Sequence, residues 1–353
     1  MKPKVVILSA FLTPFRSGAE ACAEEVPLVL RDQFDFTIIT ARVKRHLPKR
    51  DLLQGKIPVI RIGLGCSIDK WLYPFLAPFV VRRLKPQIIH AVLETFAGLA
   101  LHFCRFVCPS AKRVLTLQTT NRSFLKGIIV RSPRAVTAIS RALADVARSL
   151  GRGNVTVIPN GIDRKAIQTA CERKVKVPGR VLFVGRLESH KGVDTLLDAF
   201  AQITLHLPHA NLRIVGDGSL RSTLKARSVQ RGLGDRVVFV GFVSVPRVYD
   251  EFAQAEVFCG LSRSEALGNV FLEAQAAGCA VIGTRVGGIP EIIEDGHTGF
   301  LVPHSDPAAA AEVLQKLITD AELRQRLAEE GRQNAEQYDW LFLSEQYKLI
   351  YQS

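Results

Sequence analysis

The sequence predicts an α/β protein with two doubly wound, Rossmann-like domains. Short apolar or β-branched runs alternate with stretches of helical period, and most of these runs are apolar throughout. Strands of this kind are typical of parallel sheets that helices cover on both faces. The alternation restarts after a strong turn signal at Pro159, Asn160 and Gly161. The length of 353 residues also suits two domains, each with a core of its own.

The predicted elements divide the chain into three parts. Strands are predicted over residues 4–9, 36–40, 59–62, 87–90, 113–117, 135–139 and 155–158, and again over 181–184, 212–215, 237–240, 256–259 and 280–284. The helices predicted with most support cover residues 19–30, 96–107, 141–150, 193–205, 245–254 and 306–319, and two more share residues 321–351. We therefore predict an N-terminal domain over residues 1–163, a second domain over 164–338, and a C-terminal helix over 339–353 that packs back on the N-terminal domain.

Composition and cysteine usage indicate a soluble cytoplasmic protein. Apolar residues make up 47% and charged residues 23%, which is ordinary for a globular chain. An apolar run over residues 5–12 follows two lysines, but it lacks a small-residue cleavage site and is better interpreted as a first buried strand than as a signal peptide. The seven scattered cysteines fit free thiols in a reducing compartment.

The net charge of +14 is concentrated in the first half of the chain. Residues 1–165 contain 27 Lys and Arg against 10 Asp and Glu, whereas residues 166–353 contain 20 against 23. This asymmetry predicts an acidic partner for the first half: an anionic membrane face, a phosphorylated acceptor or nucleic acid. No recognised nucleic-acid module is present, so nucleic acid is the unlikely choice. The alternative is a basic surface that serves only solubility.

Residues 70–85, KWLYPFLAPFVVRRLK, place large apolar and aromatic side chains between basic ones. Residues 42–50 add five further Lys or Arg. This combination is typical of peripheral proteins that dock on an anionic membrane. The alternative is a buried helix with two prolines near its start.

Three loops in the second half carry groups suited to a diphosphate-linked sugar. Arg186 and Lys191 follow the strand that ends at Val184, and two cations there could face phosphates. Gly216 follows the next strand and would let the backbone approach a ligand closely. Two solvated surface cations and an ordinary turn are the alternatives for these two loops taken singly.

The third loop reads EALGNVFLE over residues 265–273. Gly268 would permit a close turn into a helix, whose first amides at Asn269 and Val270 could bind phosphate oxygens with help from the helix dipole. Glu265 precedes this helix and Glu273 lies one turn into it, so the two carboxylates could reach different parts of one extended ligand. Three such loops at the same end of their strands are hard to obtain by chance.

Together these segments resemble glycosyltransferase family 4. The resemblance is carried by VGRLESHKG, GDGSL, VGFV, SRSEALGNVFLEAQAAGCAVIGTRVGGIPEII and DGHTGFLV, and by AISRALADVARSLG and VTVIPNGID before them. It covers almost all of residues 135–340 and is looser over residues 1–134. It implies a retaining enzyme of the GT-B fold, in which two Rossmann-like domains face a central cleft, with the acceptor on the N-terminal domain and the nucleotide sugar on the second.

The resemblance also implies roles for individual residues. Arg186 and Lys191 would hold the donor diphosphate and stabilise the leaving nucleotide, and Glu265 would contact hydroxyls of the transferred sugar. Glu273 would hold the ribose, and the amides of Asn269 and Val270 would cap the distal phosphate, beside Gly216 and Gly268. In the first half, PFRSGAE resembles the family's glycine-rich loop, with the close approach resting on Gly18.

One position departs from the family pattern. Many members carry a histidine where this chain has Gln118, after the strand VLTLQTT. Glutamine can hydrogen-bond a sugar or acceptor hydroxyl but cannot act as a general base near neutral pH.

Metal ligation is not indicated by the sequence. It contains no pair of aspartates one residue apart and no histidine-carboxylate cluster in their place. We therefore expect no metal and no cofactor beyond the nucleoside-diphosphate sugar, which is a co-substrate, with the cations serving the leaving group instead.

The predicted function is transfer of a hexose-type sugar from a nucleoside-diphosphate sugar to a lipid-linked, glycan or phosphorylated acceptor, as in the biosynthesis of cell-envelope polysaccharide or glycolipid. The expected location is cytoplasmic, with peripheral attachment to the inner face of the membrane as a possibility left open. Two alternatives remain: a nucleotide-sugar epimerase of the GT-B fold, or an inactive nucleotide-sugar-binding scaffold, which Gln118 motivates and the intact Arg186, Lys191, Glu265 and Glu273 disfavour.

Overall fold

The computed structural model describes residues 2–15, 18–120 and 125–353. The chain forms two compact units, one made of Met1–Gly161 with Trp340–Ser353 and the other of Ile162–Asp339. The α/β class expected from the sequence is confirmed, because each unit is built on a sheet with parallel central strands. The unit boundaries lie close to the boundaries predicted at residues 163 and 339.

The first unit contains an eight-stranded sheet with the order β3-β4-β2-β1-β5-β6-β7-β8. Its strands are β1 (Lys4–Leu8), β2 (Asp35–Ala41), β3 (Arg50–Leu53), β4 (Ile57–Ile62), β5 (Ile88–Val92), β6 (Lys112–Leu117), β7 (Ala135–Ala138) and β8 (Thr156–Val157). The helices between them are α1 (Gly18–Leu30), α2 (Asp69–Leu84), α3 (Phe96–Val107), α4 (Lys126–Arg131) and α5 (Arg141–Ser149). The run predicted as a first buried strand is β1, in the middle of this sheet, where all but its first residue are buried.

Strand β3 is antiparallel to β4 and was not expected from the sequence. Only Leu53 of its four residues is buried, so it lacks the apolar run that marks the other strands. A tight turn creates it: Gln54 and Gly55 both adopt positive φ angles, of 48° and 69°, and the Lys56 N–H donates to the carbonyl oxygen of Leu53 at 3.0 Å. Three residues, 54–56, thus connect the paired strand ends Leu53 and Ile57.

The second unit contains a six-stranded parallel sheet with the order β11-β10-β9-β12-β13-β14. Its strands are β9 (Arg180–Val184), β10 (Asn211–Val215), β11 (Val237–Gly241), β12 (Val257–Cys259), β13 (Ala280–Thr284) and β14 (Phe300–Val302). Its helices are α6 (Arg164–Arg173), α7 (Val193–Ile203), α8 (Arg221–Gln230), α9 (Val248–Gln254), α10 (Asn269–Ala276), α11 (Pro307–Thr319) and α12 (Ala321–Ala335). The order reverses between β9 and β12, which is where open α/β sheets bind ligands.

The last helix, α13 (Trp340–Gln352), belongs to the first unit and is held there by aromatic side chains. Trp340 lies against Gly161, where a Cβ atom would come within 2.7 Å of the indole. Tyr351 and Thr116 each place a hydroxyl 2.7 Å from a ring nitrogen of the buried His90. Burial lowers the pKa of His90 to about 3, so its ring is neutral near pH 7 and uses one nitrogen as a donor and the other as an acceptor.

We predict that Tyr351→Phe lowers the free energy of unfolding by about 1–3 kcal/mol, because it leaves one nitrogen of His90 buried without its partner. Denaturant unfolding of the purified chain measures the change. Leu349→Ala on the same helix is the matched control, since Leu349 is 66% exposed and its removal should change stability little. If both variants unfold like the wild-type protein, the His90 contact does not contribute to the packing of α13.

Candidate functional site

The candidate donor site lies at the carboxyl ends of β9 and β12, which are adjacent parallel strands in the second unit. The loop that follows β9 carries Arg186 and Lys191, and the loop that follows β12 carries Glu265 and leads into α10. Because the carboxyl ends of parallel strands share one edge of the sheet, the fold brings these two loops together. Of the three groups predicted to be catalytic, Lys191 and Glu265 are in direct contact.

The contact is an ion pair between Lys191 Nζ and Glu265 Oε2, 2.5 Å apart. The two side chains are 16% and 14% exposed, so the pair is largely shielded from solvent. The hydroxyl of Ser262 lies 3.4 Å from the same carboxylate oxygen. Each charge therefore orients the other at the position where a ligand is expected.

Gly192 allows the two loops to meet. Its φ angle is 65°, and a Cβ atom at this position would lie 1.9 Å from the carbonyl oxygen of Leu261. No side chain fits there without moving the backbone of one loop. Gly192 also terminates the short 3-10 turn Ser189–Lys191 and precedes α7, so its conformation sets the direction in which Lys191 leaves the loop.

Arg263 fastens the two loops together and is not among the residues expected from the sequence. Its guanidinium donates to Asp194 Oδ2 at 2.7 Å and Thr195 Oγ1 at 3.2 Å, and also to the carbonyl oxygen of Ser189. Its backbone N–H donates to the carbonyl oxygen of His190 at 2.7 Å. Burial acts to raise the pKa of Asp194, but the hydrogen bond and charge of Arg263 outweigh it and lower that pKa.

His190 is a second residue that the sequence did not single out. Burial lowers its pKa first, and the positive charges of Lys191 and Arg186 lower it further. The imidazole of His190 is therefore neutral near pH 7, within reach of the charges of both predicted cations. Arg186 itself is exposed, and its charge also acts on Glu188.

The loop after β10 joins the site through Glu188. The Glu188 carboxylate accepts from Ser219 Oγ at 2.7 Å and from the Ser219 N–H at 3.1 Å. These hydrogen bonds lower the pKa of Glu188 below its usual value. Gly216 has a φ of 135°, and a Cβ atom on it would lie 1.9 Å from the carbonyl oxygen of Gly185. The close approach at Gly216 is thus to the neighbouring loop, and its role toward a donor stays a prediction.

Helix α10 begins after Gly268, whose φ of 99° places it in the left-handed region. Asn269 and Val270 form the first turn, where helix amides have no intrahelical acceptor, and both are half-buried. Glu273 is half-buried one turn further along. The backbone carbonyl oxygen of Glu265 accepts a hydrogen bond from the Gly288 N–H at 3.3 Å. The loop after β13 therefore supports the segment that precedes α10.

The first unit holds the two remaining predicted residues, Gly18 and Gln118. Gln118 follows β6 and forms a reciprocal amide pair with Asn160, with Nε2 3.0 Å from Oδ1 and Oε1 2.8 Å from Nδ2. The Asn160 amide also donates to the carbonyl oxygen of Gly18 at 3.2 Å, at the start of α1. Gln118 is 6% exposed and Asn160 is 1% exposed. The pairing was not predicted, because Asn160 was interpreted only as part of a turn.

A buried ion pair adjoins these amides. Glu94 accepts from the Gln118 N–H at 2.9 Å, and one of its oxygens lies 2.9 Å from Lys126 Nζ. The side chains of Glu94 and Lys126 are 2% and 5% exposed. Losing either partner would leave a buried charge without compensation, so this pair fixes the backbone where β6 ends.

Within the described ranges, no three His, Cys, Asp or Glu side chains are grouped so that they could hold a metal ion. Likewise, none of the described helices combines the length and apolar character needed to cross a bilayer.

Two family models match the chain, one for each half. "Glycosyltransferase Family 4" matches residues 16–166, and "Glycosyl transferases group 1" matches residues 168–334. Among curated proteins, a D-inositol 3-phosphate glycosyltransferase of Corynebacterium efficiens is 30% identical over 205 residues, which cover 56% of this chain and 48% of that protein. The lipopolysaccharide core biosynthesis glycosyltransferase LpsE of Rhizobium meliloti is 28% identical over 277 residues, covering 76% of each. The matched stretch thus spans about half of the first relative and three quarters of the second.

The fold is shared with solved glycosyltransferase structures. Anabaena HepE, crystallised with UDP and glucose, superposes with a TM-score of 0.80 at 23% identity and with 99% of both chains covered. The architecture of two parallel-sheet α/β units is accordingly the GT-B fold, as expected from the sequence. With both halves of the chain matched in order and the signature loops in place at β9 and β12, this protein belongs to glycosyltransferase family 4.

Proposed function

We propose that this chain is a retaining glycosyltransferase that moves a hexose-type sugar from a nucleoside-diphosphate sugar to a lipid-linked, glycan or phosphorylated acceptor. The observation that carries the proposal is the shielded Lys191–Glu265 pair, held by Arg263 at the point where the strand order reverses. It puts a cation and a carboxylate side by side where a diphosphate joined to a sugar requires both.

The cations act on the leaving group. When the bond between the anomeric carbon and the phosphate oxygen breaks, the electron pair stays on the diphosphate, and Lys191 and Arg186 stabilise the added negative charge. An ammonium group has three donors, so Lys191 can bond a phosphate oxygen while it keeps Glu265. The free pair therefore presents a preoriented cation to the incoming diphosphate.

The carboxylates divide the donor between them. Glu265 accepts from hydroxyls of the transferred sugar, next to the reacting carbon, and Glu273 accepts from the ribose hydroxyls one helical turn away. The amides of Asn269 and Val270 bind the distal phosphate at the positive end of the α10 dipole. No metal or cofactor is needed in this scheme, since side-chain cations and helix amides supply the charge.

The new bond forms at the same anomeric carbon with its configuration retained, as the family signature implies. The acceptor hydroxyl then loses its proton, which Gln118 cannot accept near neutral pH. The departing phosphate oxygen gains negative charge in this step and is a base that the reaction itself supplies. Gln118, paired with Asn160, positions the backbone near Gly18 in this proposal and does not transfer a proton.

The acceptor is proposed from charge and from the relatives. The first half of the chain carries a large positive excess, and the related proteins are named for an inositol phosphate and for lipopolysaccharide core as their context. We place the enzyme at the cytoplasmic face of a membrane, in biosynthesis of envelope polysaccharide or glycolipid. Nucleic acid is not proposed as a partner.

The proposal is tested by a thermal-shift panel of nucleoside diphosphates and their sugars, followed by turnover with the donor that stabilises most. UDP and UDP-glucose come first in the panel, because related structures contain them. Proton NMR of the product shows whether the anomeric configuration is that of the donor. Isomerised donor sugar formed without acceptor would instead identify an epimerase, and donor binding with neither reaction would identify a scaffold.

Lys191→Ala and Arg186→Ala are each expected to reduce turnover by about 10²- to 10³-fold, because each removes charge that meets the leaving diphosphate. Single-turnover rates with saturating donor measure this. Lys225→Ala is the control, since Lys225 is an exposed cation on α8 of the same unit. Near-normal rates in both site variants would remove these residues from the mechanism.

Glu273 and Glu265 should separate in calorimetry with the bare nucleoside diphosphate. Glu273→Ala should weaken its binding, since the proposed partner of Glu273 is ribose. Glu265→Ala should weaken that affinity less than Glu273→Ala does, only through the loss of the contact that orients Lys191, and should abolish sugar transfer. Glu265→Gln is needed beside it, because an amide preserves the volume next to Lys191 without the charge. Equal losses of nucleotide affinity in the Glu273 and Glu265 variants would contradict this division.

Arg263→Ala should weaken binding of the nucleoside diphosphate about tenfold, because a loss of about 1.4 kcal/mol follows when one charged hydrogen-bond partner is removed. The effect passes through the position of Lys191, so kcat should fall as well. Arg231→Ala is the matched control, since Arg231 also pairs with an aspartate, Asp198, at 2.9 Å. Unchanged affinity and kcat in Arg263→Ala would show that the two loops keep their positions without it.

A further inference from the structure

The helix α2 in the first unit exposes an apolar face that its own fold does not cover. Pairs of residues alternate along it: Tyr73, Pro74, Ala77 and Pro78 are buried, whereas Trp71, Leu72, Phe75, Leu76 and Phe79 are exposed. Trp71, Phe75 and Phe79 follow each other at intervals of four residues and are 61%, 56% and 63% exposed. The sequence-based alternative of a fully buried helix is therefore wrong for this face, although the prolines do point inward.

The face extends onto α3, which packs beside α2. The Phe75 ring centroid lies 5.4 Å from that of Phe103, and Trp71 makes an edge contact with Phe96 at 5.0 Å. Phe106 continues the same helix and is 66% exposed. We call these side chains, Trp71, Leu72, Phe75, Leu76, Phe79, Phe103 and Phe106, the aromatic face. A patch of this size is uncommon on a monomeric soluble protein and marks an interaction surface.

Positive charge accompanies the aromatic face. Lys70 Nζ lies 6.0 Å from the Trp71 ring centroid, and the Arg105 guanidinium lies 4.5 Å from that of Phe106. Arg82, Arg83 and Lys85 are exposed at the end of α2. Residues 64–85 contain a single acidic residue, Asp69, which is buried and accepts from the N–H groups of Leu64 and Gly65 at 2.9 and 2.6 Å. The surface is thus apolar and cationic together.

We propose that the aromatic face and its basic neighbours dock this enzyme on an anionic lipid bilayer. Tryptophan and phenylalanine enter the boundary between head groups and acyl chains, while Lys and Arg remain at the level of the anionic head groups. A second copy of the chain is the less suitable occupant, because a symmetric contact uses the same surface of both copies and would bring two cationic surfaces together. The inference rests on the proposed membrane location but not on the donor chemistry.

Trp71 provides a direct test. The chain has two tryptophans, and the other, Trp340, is 4% exposed, so a change in the polarity around Trp71 dominates the change in emission. Vesicles of phosphatidylglycerol and phosphatidylethanolamine should shift the emission of the full chain to shorter wavelength, and bromine-labelled acyl chains should quench it. Trp71→Phe should still bind but lose both signals. Binding without any change in Trp71 emission would overturn the proposal.

Flotation with the same vesicles measures the strength of docking. Replacing Arg82, Arg83 and Lys85 with glutamine should lower the partition coefficient on the order of 100-fold, from roughly 1 kcal/mol for each basic residue. The matched control replaces Lys165, Lys225 and Arg247, which are exposed in the second unit, and should bind like the wild-type chain. An equal decrease of the partition coefficient in the two triple variants would mean that binding depends only on the net charge of the protein, and it would contradict docking through a defined surface.

A third variant, Trp71→Ser with Phe75→Ser and Phe79→Ser, should abolish binding to anionic vesicles. Calorimetric affinity for UDP is measured in parallel: unchanged affinity shows a folded donor site and separates failure of docking from failure of the proposed function. Binding of the wild-type protein to vesicles should be weaker when the vesicles are neutral phosphatidylcholine, because the charge attraction is absent. It should also be weaker at high salt, because the attraction is screened. If the serine variant binds vesicles as well as the wild-type protein does, the aromatic face is not the surface that contacts the bilayer. If the wild-type protein is a dimer and the serine variant is a monomer, the aromatic face binds a second copy of the chain instead of a bilayer.

Discussion

The contact between the loops that follow β9 and β12 is the constraint on which the rest of the candidate site depends. A glycine without a side chain permits it at Gly192, and the guanidinium of Arg263 holds it from the opposite loop. Arg263 is suited to this task because its planar fork can donate in several directions at once, to a carboxylate, a hydroxyl and a carbonyl. Lysine, with one mobile point charge, could not satisfy the same set of acceptors. This contact between the two loops therefore determines the position of Lys191.

The two charged side chains at the centre of the candidate site, Lys191 and Glu265, form an ion pair. Lys191 and Glu265 are each shielded from most solvent, so either one alone would be costly, whereas together they neutralise each other. His190 stays neutral beside them because burial and the two cations oppose its protonation. In the proposed mechanism, an incoming diphosphate would meet groups that are already oriented, so little reorganisation would be required before the leaving group develops charge.

In the first unit, polar side chains near the carboxyl ends of the strands are paired with one another. The Gln118–Asn160 amide pair and the buried Glu94–Lys126 ion pair use their hydrogen-bonding groups on one another and on nearby backbone. Such a network specifies geometry, because each buried polar group costs free energy unless its partner is in place. A residue whose hydrogen-bonding groups are all used in this way is better suited to fixing the local backbone than to proton transfer. The aromatic face contrasts with this buried network, because the exposed side chains of α2 are not packed against their own unit.

The sequence by itself determined the fold class, the family and the loops of interest. Continuous apolar runs such as residues 181–184 and 280–284 can only be satisfied by burial on both faces of a sheet, so most strands were predictable. Strand β3 was not predictable, because only one of its four residues is buried and it has no such run. Strand β14 is an apolar run of only three residues, Phe300–Val302, which is too short to be recognised from the sequence, and it forms by pairing with β13. Signature spacing also identified Lys191 and Glu265 without showing that they touch.

Only the tertiary structure decided which partner each polar side chain takes. Arg263 stands 69 positions from Asp194, and Asn160 stands 42 positions from Gln118, and no local pattern connects residues so far apart. The same holds for α2, whose composition fits a buried core helix and a surface helix equally well. Exposure is a property of what packs against a helix, and α3 with the sheet covers one side of α2 and leaves Trp71, Phe75 and Phe79 uncovered.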